Sequence, residues 1–153
     1  MANNENSIAR QIEIKAPVSK VWQALTNAKL FEQWFGIKFN GPFVAGKSTI
    51  GRNTYPAFDK FDTEFMIKEI RPETYFSYAW HPYAFDENFD YSKEEPTLVE
   101  FFLESSTTGT LLKVTETGFN KVTASRRAEA FKMHSGGWEE QLKNIEAFLV
   151  EKK

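Results

Sequence analysis

The sequence predicts an α+β arrangement of two layers, one curved antiparallel sheet covered by one long helix. Three observations lead there. A half-buried strand is followed at once by two short amphipathic helices. Strand-like stretches then succeed one another with mostly short connections, and residues 124–151 read as a single long helix. A sheet with one apolar face and a helix with one apolar stripe bury those surfaces against each other.

In "IARQIEIKA", Ile8, Ile12 and Ile14 share one side of a period-two pattern, which makes a half-buried strand. Pro17 suits the first turn of a helix, and Val18, Val21, Trp22 and Leu25 follow at helical spacing. Asn27 can cap a second short helix that carries Leu30, Phe31 and Trp34 and stops at Gly36. Strands are expected at about 37–43, 47–55, 62–71, 73–81, 96–105 and 109–117, joined as a meander. Within them Phe76, Tyr78 and Trp80 share a face, as do Val99, Phe101 and Leu103, and as do Leu112, Val114 and Glu116. Residues 81–96 form the one long loop. The final helix spans about 40 Å at 1.5 Å per residue. Its stripe runs Phe131, His134, Trp138, Leu142, Ile145 and Leu149.

With 153 residues the chain suits one domain, expected over 8–153 behind a polar tail of residues 1–7. Fifteen Phe, five Tyr and four Trp give a ring content that must fill a core, line a cavity or form a contact surface. A net charge of −2 with interspersed signs points to no nucleic-acid partner. The absence of cysteine removes thiolate catalysis and thiolate metal sites. The first residues lack the pattern of a signal peptide, and no apolar run is long enough for membrane insertion, so a cytoplasmic location is expected.

One motif argues for a different function. "GPFVAGKST" (41–49) fits the phosphate-binding loop G-x-x-x-x-G-K-[ST] through Gly41, Gly46, Lys47 and Ser48. That loop works only where a buried strand enters it and a helix leaves it. The residues that follow, "TIGRNTYPAF", oppose a helix and suit a strand, so the match is read as a turn.

Ring and polar side chains expected on the inward faces make a candidate ligand-binding set: Trp34, Phe76, Tyr78, Trp80, Phe101, Leu103, Leu112, Glu116, Phe131, His134 and Trp138. His134 and Glu116 are its polar members. They either orient a ligand or serve as acid and base, or else form a satisfied core pair, the commoner outcome for buried polar groups. Gly136-Gly137 inside the helix costs about 1 kcal/mol per glycine relative to alanine. Close approach of the sheet or short helices, a local bend, or ligand access would offset that. Rings on the 81–96 loop read either as a lid or contact patch, or as a cluster that pins the loop. Glu94-Glu95 reads as surface charge. Two distant histidines give no metal site, and no motif identifies a catalytic residue or a cofactor.

"APVSKVWQALTNAKLFEQWFG" (16–36), the strand series with Gly109-Thr110, and "GGWEEQLKNIEAFL" (136–149) together resemble activator of heat-shock-protein-90 ATPase homologue-like domains. These belong to the START-like, birch-pollen-allergen-like superfamily. The resemblance covers roughly residues 8–151. It implies a helix-grip fold, with a seven-stranded antiparallel sheet curling round the C-terminal helix and a cavity between them. Three functions are then open: binding of a small apolar or amphipathic molecule, a chaperone-associated interaction module, or a cyclase- or hydrolase-type enzyme. A monomer or weak homodimer is expected.

Overall fold

The computed structural model describes residues 6–150. Residues 1–5 of the expected tail and residue 151 of the expected helix lie outside the described residues. Seven strands form one antiparallel sheet: β1 (Ser7–Ile14), β2 (Ile37–Phe39), β3 (Ser48–Asn53), β4 (Asp62–Arg71), β5 (Tyr75–Trp80), β6 (Thr97–Ser105) and β7 (Thr110–Thr117). Their order is β1-β7-β6-β5-β4-β3-β2, so only the β1–β7 pair departs from a meander. Helices α1 (Val18–Thr26) and α2 (Ala28–Phe35) follow β1, and α3 (Ala124–Val150) follows the sheet. This is the α+β helix-grip arrangement expected from the sequence.

Local chemistry explains the boundaries. The Asn27 side chain accepts from the N–H groups of Lys29 and Leu30, which caps α2. Gly36 ends α2 in the left-handed region at φ 93°, and a side chain there would collide with the ring of Tyr55. Pro17 stands one residue before α1, as its N-cap, rather than in its first turn. β2 is shorter than the expected 37–43 because Asn40-Gly41-Pro42 turns the chain away from the ladder. Residues 45–47 make a turn and Ser48 opens β3, so no helix follows the phosphate-loop pattern. Asn6 accepts from the N–H groups of Gly118 and Asn120, which ties down the start of β1.

Aromatic side chains fill the space under α3. Phe31, Phe65, Phe76, Tyr78 and Phe101 have no exposed surface. Phe65 stacks on Tyr78 at 4.1 Å, and Phe43 reaches Phe76 at 5.8 Å. Trp138 of α3 meets Phe101 at 5.7 Å and Phe35 at 6.0 Å, so it joins helix, sheet and α2. The middle of the interior is therefore packed rather than hollow. The opening lies at one end, where β5 runs out into the 81–96 loop.

Candidate functional site

Strand register brings one polar group into this apolar interior. Trp80 pairs with Thr97 across β5–β6, and Glu116 pairs with Val99 across β6–β7. Thr97 and Glu116 are therefore diagonal neighbours on the inward face. His134 and Trp138 stand four residues apart on α3 and so share its inward side. All four side chains converge on Glu116, which has no exposed surface. Its Oε2 accepts from Trp80 Nε1 at 2.8 Å and Thr97 Oγ1 at 2.5 Å. Its Oε1 accepts from Trp138 Nε1 at 2.8 Å and lies 2.7 Å from His134 Nδ1.

A carboxylate has about four lone-pair positions, and here all four are engaged. Burial alone would push the Glu116 carboxyl up. The charge and hydrogen bond of His134, with donors from Thr97 and Trp138, outweigh it and hold the group below its ordinary range. An ionised Glu116 only accepts, so His134 Nδ1 carries the hydrogen between them. His134 Nε2 then has no partner among the described residues.

His134 lines a cleft of about 290 Å³. Trp80, His134 and Trp138 form its floor, and Phe35 and Ile37 form one wall. Tyr55 and Phe58 from one connection, with Tyr83 and Phe85 from the long loop, border its mouth. No Lys, Arg, Asp or Glu lines it. Two of its amide groups donate to backbone carbonyls. Asn53 Nδ2 donates to Phe61 O at 2.8 Å, and Gln141 Nε2 donates to Phe35 O at 2.9 Å.

Gly137 also borders the cleft, and a Cβ built there would meet nothing within 4 Å. Close approach of the sheet is therefore not what the glycine serves. It leaves open space beside Trp138, while α3 continues through it without interruption.

A second buried carboxylate holds the long loop. Glu94 was expected at the surface, but its side chain is 1% exposed. It is paired with Arg126, whose Nε and Nη2 reach Oε2 and Oε1 at 3.0 and 2.5 Å. Glu94 also accepts from Thr123 N at the start of α3, at 2.9 Å. Burial pushes the Glu94 carboxyl up, yet Arg126 and the Thr123 donors hold it below its ordinary range. Arg126 Nη1 donates to the carbonyls of Pro82 and Tyr83, and its guanidinium sits 4.6 Å from the Tyr91 ring. Tyr83 is held at φ 51°, left-handed backbone that a non-glycine residue rarely adopts. His81 lines the cleft and approaches Glu94 to 4.0 Å. Burial pulls its pKa down, with Arg126 adding to that and Glu94 opposing it.

Of the residues proposed from sequence, Trp80, His134 and Trp138 border the cleft and Glu116 lies directly behind them. Phe76, Tyr78, Phe101 and Leu112 lie fully buried in the packed interior, with Leu103 nearly so. Trp34 is turned into the α1–α2 corner, donating from Nε1 to Ala24 O at 3.0 Å. Phe131 packs half-buried on Phe119 at 5.2 Å. Tyr55, Phe58, Gly137 and the Arg126–Glu94 pair are additions from the structure. Only the glycine pair had left a signal in the sequence. Among the described residues no group of side chains is arranged to hold a metal ion, and no helix is long and apolar enough to cross a membrane.

Comparison with known proteins adds a family and a set of folds. The model of the family described as "Activator of Hsp90 ATPase homolog 1-like protein" matches residues 15–150. No curated protein sequence matches the chain. Among solved structures, protein MLL2253 from Mesorhizobium loti is 22% identical, with a TM-score of 0.75 over 96% of this chain and 98% of that one. The Aha1 dimer from Colwellia psychrerythraea is 20% identical, with a TM-score of 0.70 over 96% and 98%. CalU16 from Micromonospora echinospora is 21% identical, with a TM-score of 0.66 over 96% of this chain and 76% of that one. Identities this low establish a shared fold.

Proposed function

We propose that this chain, which belongs to the Activator of Hsp90 ATPase homolog 1-like family, binds a small apolar or amphipathic molecule in the cleft beside α3. The observation that carries this reading is the ring-lined opening of about 290 Å³ with the imidazole of His134 among its lining residues. Small-molecule sites typically run from about 300 to 1,000 Å³, and they are mostly apolar with a few placed polar groups. This cleft sits at the lower edge of that range and suits a small ligand.

Quenching of Trp80 and Trp138 emission by a panel of polycyclic hydrocarbons and fatty acids tests the reading. Saturable quenching that one ligand competes away from another is expected, and Gly137→Leu should weaken it by filling the open space. A panel without a single binder would overturn it. A chaperone-associated interaction module, to which the family description points, would then become the leading account. Calorimetric titration of the intact protein against an Hsp90 chaperone tests that account directly.

A further inference from the structure

Between Trp80 and Trp138 the cleft presents one face of an imidazole whose other face is locked. Glu116 accepts from Trp80, Thr97 and Trp138, and its remaining position is taken by His134 Nδ1 at 2.7 Å. Saturated and without exposed surface, Glu116 cannot itself reach a ligand. It acts on the cleft through the ring it holds. When the ring is neutral, with Nδ1–H directed at the carboxylate, it presents a lone pair at Nε2, and the carboxylate behind it strengthens Nε2 as an acceptor.

We propose that the Glu116–His134 pair sets the ligand class of this cleft: an uncharged, flat molecule whose polar group is a hydrogen-bond donor directed at His134 Nε2. The inference rests on the ligand-binding reading above and adds the chemistry of the ligand. Flatness follows from the lining, since Trp80, Trp138, Phe35 and Tyr83 offer ring faces and edges. Absence of charge follows from the lack of any Lys, Arg, Asp or Glu on the walls. A ligand ion would lose its hydration there without a countercharge on the lining. Of the neighbouring groups, Trp80 and Trp138 already donate to Glu116, Gln141 Oε1 accepts from Asn144, and the Tyr78 hydroxyl is sealed in the interior, which leaves the Tyr55 and Tyr83 hydroxyls and Asn53 Oδ1 as the other acceptors of the lining. His81, the other cleft histidine, has its Nδ1 buried without a hydrogen-bond partner, 4.0 Å from Glu94 and closed off from the cleft. In this scheme Glu116 is a positioning residue and His134 the one that touches ligand.

Four probes of nearly equal size separate the possibilities: 2-naphthol donates, 2-methoxynaphthalene only accepts, naphthalene does neither, and 2-naphthoate is an anion. Affinities for the wild-type protein are measured by tryptophan quenching. We expect 2-naphthol to bind about tenfold or more tightly than 2-methoxynaphthalene, the effect of one well-made hydrogen bond in a dry site. The 15N resonance of His134 Nε2 should move on adding 2-naphthol and stay in place with naphthalene. His134→Gln should bring the ratio of 2-naphthol to 2-methoxynaphthalene affinity down towards one. Equal binding of donor and acceptor probes, or tightest binding of 2-naphthoate, would overturn the ligand class while leaving the cleft a binding site. Binding of none of the four would remove both readings. Should His134→Gln fail to fold, the four wild-type affinities and the 15N shift decide alone.

Discussion

The two ends of the interior under α3 are built from the same kind of side chain and finish differently. At the closed end Phe31, Phe43, Phe76 and Phe101 meet with ring centres 5.5 to 6.1 Å apart, from Phe31–Phe43 to Phe76–Phe101. Most of those rings ride on strands or on α2, whose backbones are held by their own hydrogen bonds. At the open end the covering rings ride on connecting segments. Phe58 and Phe85 stack on each other at 4.1 Å and border the mouth, leaving a cleft above Trp80 and Trp138. Ring content therefore does not separate core from site. The backbone that carries the ring does.

Breaking the join between the ends should have the largest effect. Trp138 is 3% exposed and touches both. Trp138→Ala should cost about 3–5 kcal/mol, a large part of a domain's stability, and leave Glu116 short of a donor. A Tm within a degree or two of the parent would show the two ends to be independent. Next is the latch at the open end. Arg126→Leu leaves a buried Glu94 unpaired, a change that typically costs about 3–5 kcal/mol. Protease cleavage within 81–96 should then rise sharply, and unchanged cleavage would show that the ring stacking alone holds the loop.

Acid should loosen the open end in two stages. His81 titrates below its ordinary value in the folded state, so the unfolded chain binds its proton first as pH falls. Stability should begin to decline below about pH 6.5, the unperturbed value. Glu116 and Glu94 are also held low. Their contribution is fully present above about pH 4.3 and is lost as pH falls further. Urea midpoints measured from pH 8 to 3 should show both stages, and His81→Asn should remove the first. A single decline confined to acid below pH 4.3 would contradict the assignment to His81.

The smallest effect sharpens the comparison. Gly137→Ala should raise stability by about 0.5–1 kcal/mol, since nothing opposes the added methyl and helix propensity improves. Ligand affinity should fall at the same time, because that methyl enters the cleft. A gain in stability with unchanged affinity would mean that the glycine serves no ligand.

Much of this was legible in the sequence, and the parts that were not share a cause. Period-two patterns placed Phe76, Tyr78, Trp80, Phe101 and Glu116 on the inward face, where they lie, because alternation is a property of the strand itself. Helical spacing put His134 and Trp138 on one side of α3 for the same reason. Which inward side chains border open space depends on where the 54–61 and 81–96 connections come to rest. No periodicity encodes that. Glu94 illustrates the point: beside Glu95 it looks like surface charge, and only Arg126, 32 residues on, gives it a buried partner. Sequence shows faces well and distant pairings poorly.

The pairing of β1 with β7 has a consequence for how the protein is made. Ser7 meets Thr117, so the sheet cannot close before most of the chain has left the ribosome. Such non-local closure is slow compared with helix formation. The ring-bearing concave face then waits for α3, which at roughly 5–20 residues per second adds further seconds of exposure. During that interval the face offers unpaired apolar surface to every neighbouring chain. Substitutions that weaken docking of α3 should therefore lower soluble yield in cells more than the stability of the purified protein would suggest. Expression at reduced temperature, where aggregation slows, should recover much of the loss.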